Sequence, residues 1–337
     1  MPSWMPSAVA EAPRVVLLLL DGLGWNQLRS HSVHMPTLSS FTGGPITTIA
    51  PSTTATALTS LVTGLSPGEH GLIGYRIDMG SSVMNVLRWG DENGDLRRTF
   101  PPETTQPCPP FLGLSVPVLS KAELEGSGFT QAHLNGVKHM GWRSSSSIPV
   151  LVKSALDAGE QFVYAYYDGI DKIAHERGFG DYYNAELRHA DRLVADILSV
   201  LPSDTVLLVT ADHGQVHVGD NTIIPSADVM AHVARQSGEG RFRWMHAQRG
   251  REGALRDAVQ KYDDVAWVVT KEQVLDEQWF GPRVSDPVVR RMGDVALVAH
   301  GNVSFEEPLD GGAFDLVCRH GSLTSDEMLV PLLVHVS

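Results

Sequence analysis

The chain has 337 residues, 42% of them hydrophobic and 19% charged. That is one large domain or two ordinary ones, and it excludes a disordered chain, a collagen-like fibre and a small disulfide scaffold. The net charge of −13, from 39 acidic against 26 basic residues, argues against gripping a nucleic-acid polymer through phosphate neutralisation. So acidic a chain recognises phosphate through metal ions or backbone amides.

Two cysteines, Cys108 and Cys318, supply neither a disulfide framework nor a thiolate cage. The 14 histidines direct any metal site towards imidazole and carboxylate, which suits zinc, manganese or iron. Residues 1–13 lack a basic segment followed by an apolar stretch, and the apolar run at 15–20 is too short to span a bilayer. The expectation is a cytoplasmic protein without membrane contact.

In chain order, short apolar runs occur at 15–20, 116–119, 162–166, 206–209 and 328–336, each bounded by Gly, Pro, Asp or Ser. Runs that do not alternate predict strands buried on both faces. Residues 147–158 and 184–198 have helical patterning. The second places Leu187, Leu193, Val194, Ile197 and Leu198 on one face and Arg188, Arg192 and Asp196 on the other. Alternating strand and helix signals predict an α/β fold, a doubly wound, mostly parallel central sheet flanked by helices. Residues 78–110 are polar and read as a surface excursion. Residues 219–312, with the Arg-rich stretch RFRWMHAQRGR and strand-like pieces at 265–269 and 295–298, read as a smaller inserted α+β cap. The core then comprises 14–218 and 313–337, with 1–13 as an N-terminal extension.

Chemistry-bearing residues fall at the ends of these runs. Asp21 closes VVLLLLDGLG, where ligands bind in open α/β sheets, although a turn-forming Asp would look the same. The segment PSTTATALTSLVTG puts Ser52, Thr53 and Thr54 near the start of a helix over 55–62, an anion site or a simple cap. A hydroxyl there loses its proton more easily beside a cation. The following Gly64-Leu65-Ser66-Pro67-Gly68 imitates a hydrolase elbow, but Pro67 has no N–H for the oxyanion hole. In YAYYDGIDKIAHERG, Asp168 comes first, and Asp171 and His175 are four apart on one helical face, able to grip a divalent metal or to form an exposed pair. Asp212-His213-Gly214 ends the run at 206–209, and His320 precedes Gly321 and the last apolar run. Together Asp21, Thr54, Asp171, His175, Asp212, His213 and His320 amount to three carboxylates, three imidazoles and one hydroxyl, about what two neighbouring metals need.

These motifs resemble the alkaline phosphatase superfamily, and most closely its nucleotide pyrophosphatase/phosphodiesterase branch. PSTTATALTSLVTGLSPGEHG, DKIAH, TADHG and HGSLTSDEMLVPLL carry the resemblance, which extends over 15–333. It implies an alkaline phosphatase-like fold, Thr54 as a nucleophile passing through a phospho-threonine, and two divalent metals, typically zinc. It assigns Asp21, Thr54, Asp212 and His213 to one metal and Asp171, His175 and His320 to the other. The branch's aromatic-Pro-Asn after the nucleophile is replaced by Ala55-Thr56-Ala57, and its phosphate-contacting Asn by Tyr75, with Arg76 next. A phenol can donate to phosphate and a guanidinium can fork onto it, so Tyr75 and Arg76 are the expected substrate contacts.

The implied activity is hydrolysis of small-molecule phosphodiesters or nucleotide pyrophosphates. A phosphomonoesterase or phosphonate hydrolase on the same scaffold is the alternative, and a catalytically silent metal-binding module the rival from another class. Sulfatase chemistry is disfavoured, because neither cysteine lies near position 54. His31 and His34 lie in a polar loop, and His70 supports a turn. Trp142, Trp244, Trp267 and Trp279 read as packing, and Arg241, Arg243, Arg249 and Arg251 as a solvated, phosphate-steering face.

Overall fold

The structure is a computed structural model that describes residues 2–307 and 316–337. Its centre is a seven-stranded sheet in the order Thr42–Thr47, Leu329–Val336, Thr205–Thr210, Arg14–Leu20, Phe162–Tyr167, Pro117–Lys121, Lys138–Trp142. The last five run parallel. Leu329–Val336 runs antiparallel to both neighbours. It starts at the rim where the parallel strands end, straight after the short helix Ser325–Met328. With no crossover helix to carry the chain back, it has to run the other way.

Burial follows the expected pattern. Every residue of Thr205–Thr210 is buried. In Arg14–Leu20, Val16, Leu18 and Leu20 pack with Val152, Leu187 and Val194 of the helices Ile148–Asp157 and Asp181–Leu198. Leu19 faces the opposite layer, with Ala55, Leu58 and Val62 of the helix Thr54–Thr63. Alternate side chains therefore serve two helical layers, as a doubly wound sheet requires. Both edge strands escape the sequence pattern. TGGPIT has no apolar run, and its Pro45 is tolerated because an edge strand can spare a donor. KHMGW buries only Trp142.

Two expectations need correction. Residues 78–110 are more than a surface excursion. Arg76–Asp78, Val83–Asn85, Gly90–Asp91 and Gly94–Asp95 form a small antiparallel sheet. Met84, Val86 and Trp89 are fully buried and join the core beside Leu58 and Phe129. The Trp89 indole donates 2.8 Å to the Phe100 carbonyl, and a Cβ on Gly128 would stand 2.3 Å from the Trp89 side chain. Nor do the cap arginines form one solvated face. Arg249 and Arg251 are exposed, but Arg241 and Arg243 are fully buried. The polar composition conceals their counter-charges and carbonyl partners, which come from distant segments.

The cap contains a four-stranded antiparallel sheet in the order Val233–Glu239, Phe242–Ala247, Val295–Ala299, Ala266–Thr270. One face packs on Leu255 and Val259 of the helix Glu252–Val259, and the other sends Phe242, Trp244 and Val298 into the main core. Trp142 and Trp244 are buried as expected, whereas Trp267 is 43% exposed. The expected cap boundary at 312/313 lies outside the described residues. In the N-terminal extension, Ala8, Val9 and Ala12 cover Val206, Leu208 and Leu332.

A serine, a histidine and an aspartate also line up between the cap and the small sheet. Ser237 Oγ lies 2.8 Å from His246 Nε2, and His246 Nδ1 lies 3.3 Å from Asp78 Oδ2. Ser237 is 1% exposed and sits within a strand, so no substrate reaches its hydroxyl. With Arg235 also bound to Asp78 at 2.8 Å, the arrangement is a clasp.

Burial drives His70 down to about 3 and His133 down to about 4 from the usual 6.5. His70 accepts from the Leu72 N–H at 3.2 Å, so Nε2 carries the proton to Ser60 Oγ at 2.9 Å. Both imidazoles fold neutral, while the unfolded chain protonates them below about 6.5. Their contribution is complete above that pH and drains away as the pH falls towards 4. Urea midpoints measured from pH 7.5 to 4.5 are expected to decline, and His133→Phe to flatten the slope; an unchanged slope would contradict this account.

Candidate active site

The carboxyl ends of the parallel strands share one rim, and chain geometry delivers the candidate residues there. Asp21 follows the strand Arg14–Leu20 directly, and Asp212 and His213 come just after Thr205–Thr210. After Phe162–Tyr167 the helix Gly169–Arg177 carries Asp171 and His175 on one face, with His175 Nε2 3.3 Å from Asp171 Oδ1. Thr54 is the first residue of its helix, and the N-cap, Thr53, makes no side-chain cap. The hydroxyl of Thr54 instead lies 3.1 Å from His213 Nε2, so capping does not explain it. His320 arrives from the far end of the chain, tied by its Nδ1 to the Ser52 carbonyl at 2.9 Å and by the Ser52–Gly321 bridge.

The three imidazoles are held alike. His213 Nδ1 bonds the Gly214 carbonyl at 3.0 Å, His175 Nδ1 the Cys318 carbonyl at 2.6 Å, and His320 Nδ1 the Ser52 carbonyl. Each Nδ1 therefore carries its proton, and each Nε2 presents a lone pair inwards, as metal-binding histidines are set. His213 and His320 stack with ring centroids 3.6 Å apart. Two groups form, Asp21 with Asp212 and His213, and Asp171 with His213 and His320. Within each, one ligand atom per residue lies within 4.8 Å of the others. Among the described residues these are the groups of three or more whose ligand atoms lie so close; His213 belongs to both, and His175 to neither, although its Nε2 is within 3.3 Å of Asp171. His31 and His34 belong to neither: His31 Nδ1 lies 3.1 Å from the Gln27 carbonyl and His34 Nδ1 lies 3.2 Å from Arg188.

The electrostatics ask for a cation. Asp21 and Asp212 are each 2% exposed. Gly22 N–H and His213 N–H both donate to Asp212 Oδ1, at 3.2 and 3.1 Å, but Asp212 Oδ2 and Asp21 Oδ1 accept no hydrogen bond. Buried carboxylate oxygens left without donors are costly. Burial, followed by the charges of Asp212 and Asp171, pushes Asp21 well above the usual carboxylate range. Burial raises Asp212 too, and it drives the His320 imidazole down, helped by His213 and His175. Divalent ions among these oxygens and Nε2 lone pairs would remove every one of these penalties, so the donor set fits two metals.

The sequence did not reveal the supporting shell. Gln215 Nε2 donates to Asp171 Oδ1 at 2.7 Å, Tyr166 donates its hydroxyl to Asp21 Oδ2, and Glu239 of the cap brings Oε2 to 3.9 Å from His320 Nδ1. Gln215, two residues after His213, could have been found from its place beside the motif; Glu239 carries no local signal. Tyr75 and Arg76 open the small sheet, where Arg76 is buried and pairs with Glu307 at 2.7 Å. The imitation elbow is a helix start, with Ser66 and Glu69 forming a capping box.

The family model for type I phosphodiesterase / nucleotide pyrophosphatase matches residues 15–145 and 142–323. The chain belongs to this family. As a type I phosphodiesterase / nucleotide pyrophosphatase it is a hydrolase acting on phosphodiester or pyrophosphate bonds. Among solved structures, murine ectonucleotide pyrophosphatase / phosphodiesterase 5 is similar at 14% identity, with 95% of this chain and 87% of that chain covered and a TM-score of 0.71. The human protein of that name is similar at 15% identity, with 96% and 87% covered and a TM-score of 0.74. An inactive threonine-to-alanine variant of the murine protein has been solved in complex with AMP. At such identities these structures show the shared fold. No curated protein matches the sequence. Among the described residues no helix is long and apolar enough to cross a membrane.

Proposed function

We propose that the chain hydrolyses nucleotide-type phosphodiesters or pyrophosphates with two divalent cations and Thr54 as nucleophile. One cation is assigned to Asp21, Thr54, Asp212 and His213, the other to Asp171, His175 and His320, with zinc as the first choice. The observation that carries this reading is the convergence of orphaned Asp21 and Asp212 oxygens with inward Nε2 lone pairs beside the Thr54 hydroxyl. The AMP complex of the inactive murine threonine-to-alanine variant supports a nucleotide substrate and a threonine that activity depends on.

When bound, the cations polarise the phosphoryl oxygens and favour the deprotonated hydroxyl and water. Thr54 Oγ forms the bond to phosphorus and the leaving-group oxygen departs with the electron pair. Water then attacks the phospho-threonine and returns Thr54 as its hydroxyl. The helix beginning at Thr54 turns its positive dipole end towards the transferring phosphoryl. Tyr75 and Arg76 are the proposed contacts to non-bridging oxygens.

Metal analysis with a phosphate-ester panel tests the whole. The purified protein is expected to hold two equivalents of divalent metal and to cleave bis(p-nitrophenyl) phosphate faster than p-nitrophenyl phosphate. Chelation should abolish turnover and lower stability by about 3 kcal/mol per site relative to a hundredfold excess of metal over its Kd. Metal-independent turnover would sink the two-cation centre; a faster monoester would move the substrate class to phosphomonoesters.

A further inference from the structure

Gln215 follows the Asp212-His213-Gly214 turn and is 1% exposed. Its Nε2 donates to Asp171 Oδ1 at 2.7 Å and to the Asp171 carbonyl at 3.4 Å. Both partners are acceptors, so the amide has one allowed orientation; turned over, Oε1 would face two oxygens. Held this way round, Oε1 is buried and accepts no hydrogen bond among the described residues. A buried acceptor without a donor destabilises a fold. The side chain keeps that defect for the sake of its contacts with Asp171. The oxygen it reaches, Oδ1, is also the one turned towards the imidazoles, 3.3 Å from His175 Nε2 and 4.0 Å from His320 Nε2.

The amide sits in a slot that glycines clear. A Cβ on Gly22, where φ is +74°, would stand 2.7 Å from Gln215 Nε2 and 2.9 Å from Asp171 Cβ. Gln27, on the helix Trp25–Ser30, donates from Nε2 to the Gln215 carbonyl at 2.6 Å and to the Asp326 carbonyl at 3.3 Å. A Cβ on Gly24 would meet Gln27 Oε1 at 1.9 Å. The two glycines of Asp21-Gly22-Leu23-Gly24 therefore make room for two glutamines. Gln27 fixes the backbone at 215, which leaves the side chain of Gln215 to Asp171. Asp171 lies in the first turn of the helix Gly169–Arg177, and an N–H at Oδ1 restricts how its carboxylate can turn towards a cation. The other carboxylates have holders of their own: Gly22 N–H and His213 N–H on Asp212 Oδ1, and the Tyr166 hydroxyl on Asp21 Oδ2.

We propose that Gln215 is the positioning residue of the Asp171, His175 and His320 cation site, aiming the Asp171 carboxylate and so governing the affinity of that site alone. This rests on the two-cation reading above and adds the residue on which one of the two affinities depends.

The test is a zinc titration of the metal-stripped protein against a chromophoric chelator, which separates the two affinities without turnover. In Gln215→Met, a side chain of similar shape without the N–H, one Kd is expected to rise about 10–100-fold while the other stays in place. The affinity that moves should be the one already lost in His175→Ala. The urea midpoint of the metal-free Gln215→Met protein should be unchanged or higher, because the partnerless oxygen leaves with the amide; a purely structural glutamine would lower it. In the wild type, the Gln215 side-chain amide signals in a nitrogen-15 NMR spectrum should resist exchange with solvent and shift with only one of the two zinc equivalents, a readout that needs no variant. Two unmoved affinities, equal losses at both sites, a lowered metal-free midpoint, or a wild-type amide that exchanges freely would each overturn the proposal. A wild type that binds fewer than two zinc ions would overturn it together with the two-cation reading, whereas two ions bound with affinities that Gln215→Met leaves alone would overturn only the role of Gln215.

Discussion

Thr54→Ala is expected to lower kcat on bis(p-nitrophenyl) phosphate by about a thousandfold or more, with the metal content of the protein nearly unchanged. The hydroxyl contributes one of the seven proposed ligand groups, so its loss leaves three carboxylates and three imidazoles to hold the cations. The substitution costs little in folding, because Thr54 is 9% exposed and the N-cap Thr53 makes no side-chain cap that would be lost. What disappears is the atom that takes the phosphoryl group. Thr54→Ser should retain measurable turnover, since the oxygen remains. Acid quenching during turnover should trap phosphate on residue 54 in the wild type and none in the alanine variant. Turnover of the alanine variant within tenfold of wild type would remove the nucleophile from Thr54 and leave only metal-activated water.

Glu327→Gln is expected to destabilise the fold by about 3–5 kcal/mol, read as a shift of the urea midpoint at constant slope. Arg241 and Glu327 are fully buried and face each other through two contacts, Nε to Oε1 at 2.7 Å and Nη2 to Oε2 at 2.8 Å. Arg241 Nη1 is further held by the carbonyls of Gly301 and Val303. Glutamine keeps an oxygen for the Ser322 N–H, 3.0 Å from Glu327 Oε1. It nevertheless leaves a guanidinium charge without its partner away from water. Replacing both residues, Arg241→Met with Glu327→Leu, should recover a substantial part of the loss, because an apolar pair avoids the desolvation penalty. A single substitution costing under about 1 kcal/mol would show that water reaches this pair.

The same contact explains a weakness of reading the cap from its sequence. RFRWMHAQRGR presents four arginines within 11 residues, and composition alone makes them a wet surface. Arg241 is buried because Glu327, 86 positions away, meets it. Nothing in either segment announces the other. Residues 78–110 hide their core in the same manner, since the short stretch holding Met84, Val86 and Trp89 is broken by Asn85 and Arg88 and set within a polar segment.

The strands that could be read were those buried on both faces, where every position must be apolar. Arg14–Leu20, Phe162–Tyr167 and Thr205–Thr210 announce themselves in that way. Thr42–Thr47 and Lys138–Trp142 lie at the sheet's edges and are freed from that demand. Most of the proposed ligand residues stood out because they sit at strand or helix ends beside glycine or a second donor, as in Asp212-His213-Gly214, while Asp171 and His175 stood out by their spacing of four. Their supporting shell was not. Gln215 and Tyr166 work through contacts fixed only by tertiary geometry, and Glu239 reaches His320 from a hairpin with no motif.

The insertion of Leu329–Val336 between Thr42–Thr47 and Thr205–Thr210 has a consequence for biogenesis. Asp21 is made early and His320 late, and the segment that follows His320 must thread between two strands already synthesised. The proposed cation site, which needs both, is therefore among the last features to assemble during synthesis. Nascent chains halted before residue 329 should neither capture metal at full occupancy nor turn over substrate, so activity is withheld from unfinished polypeptides.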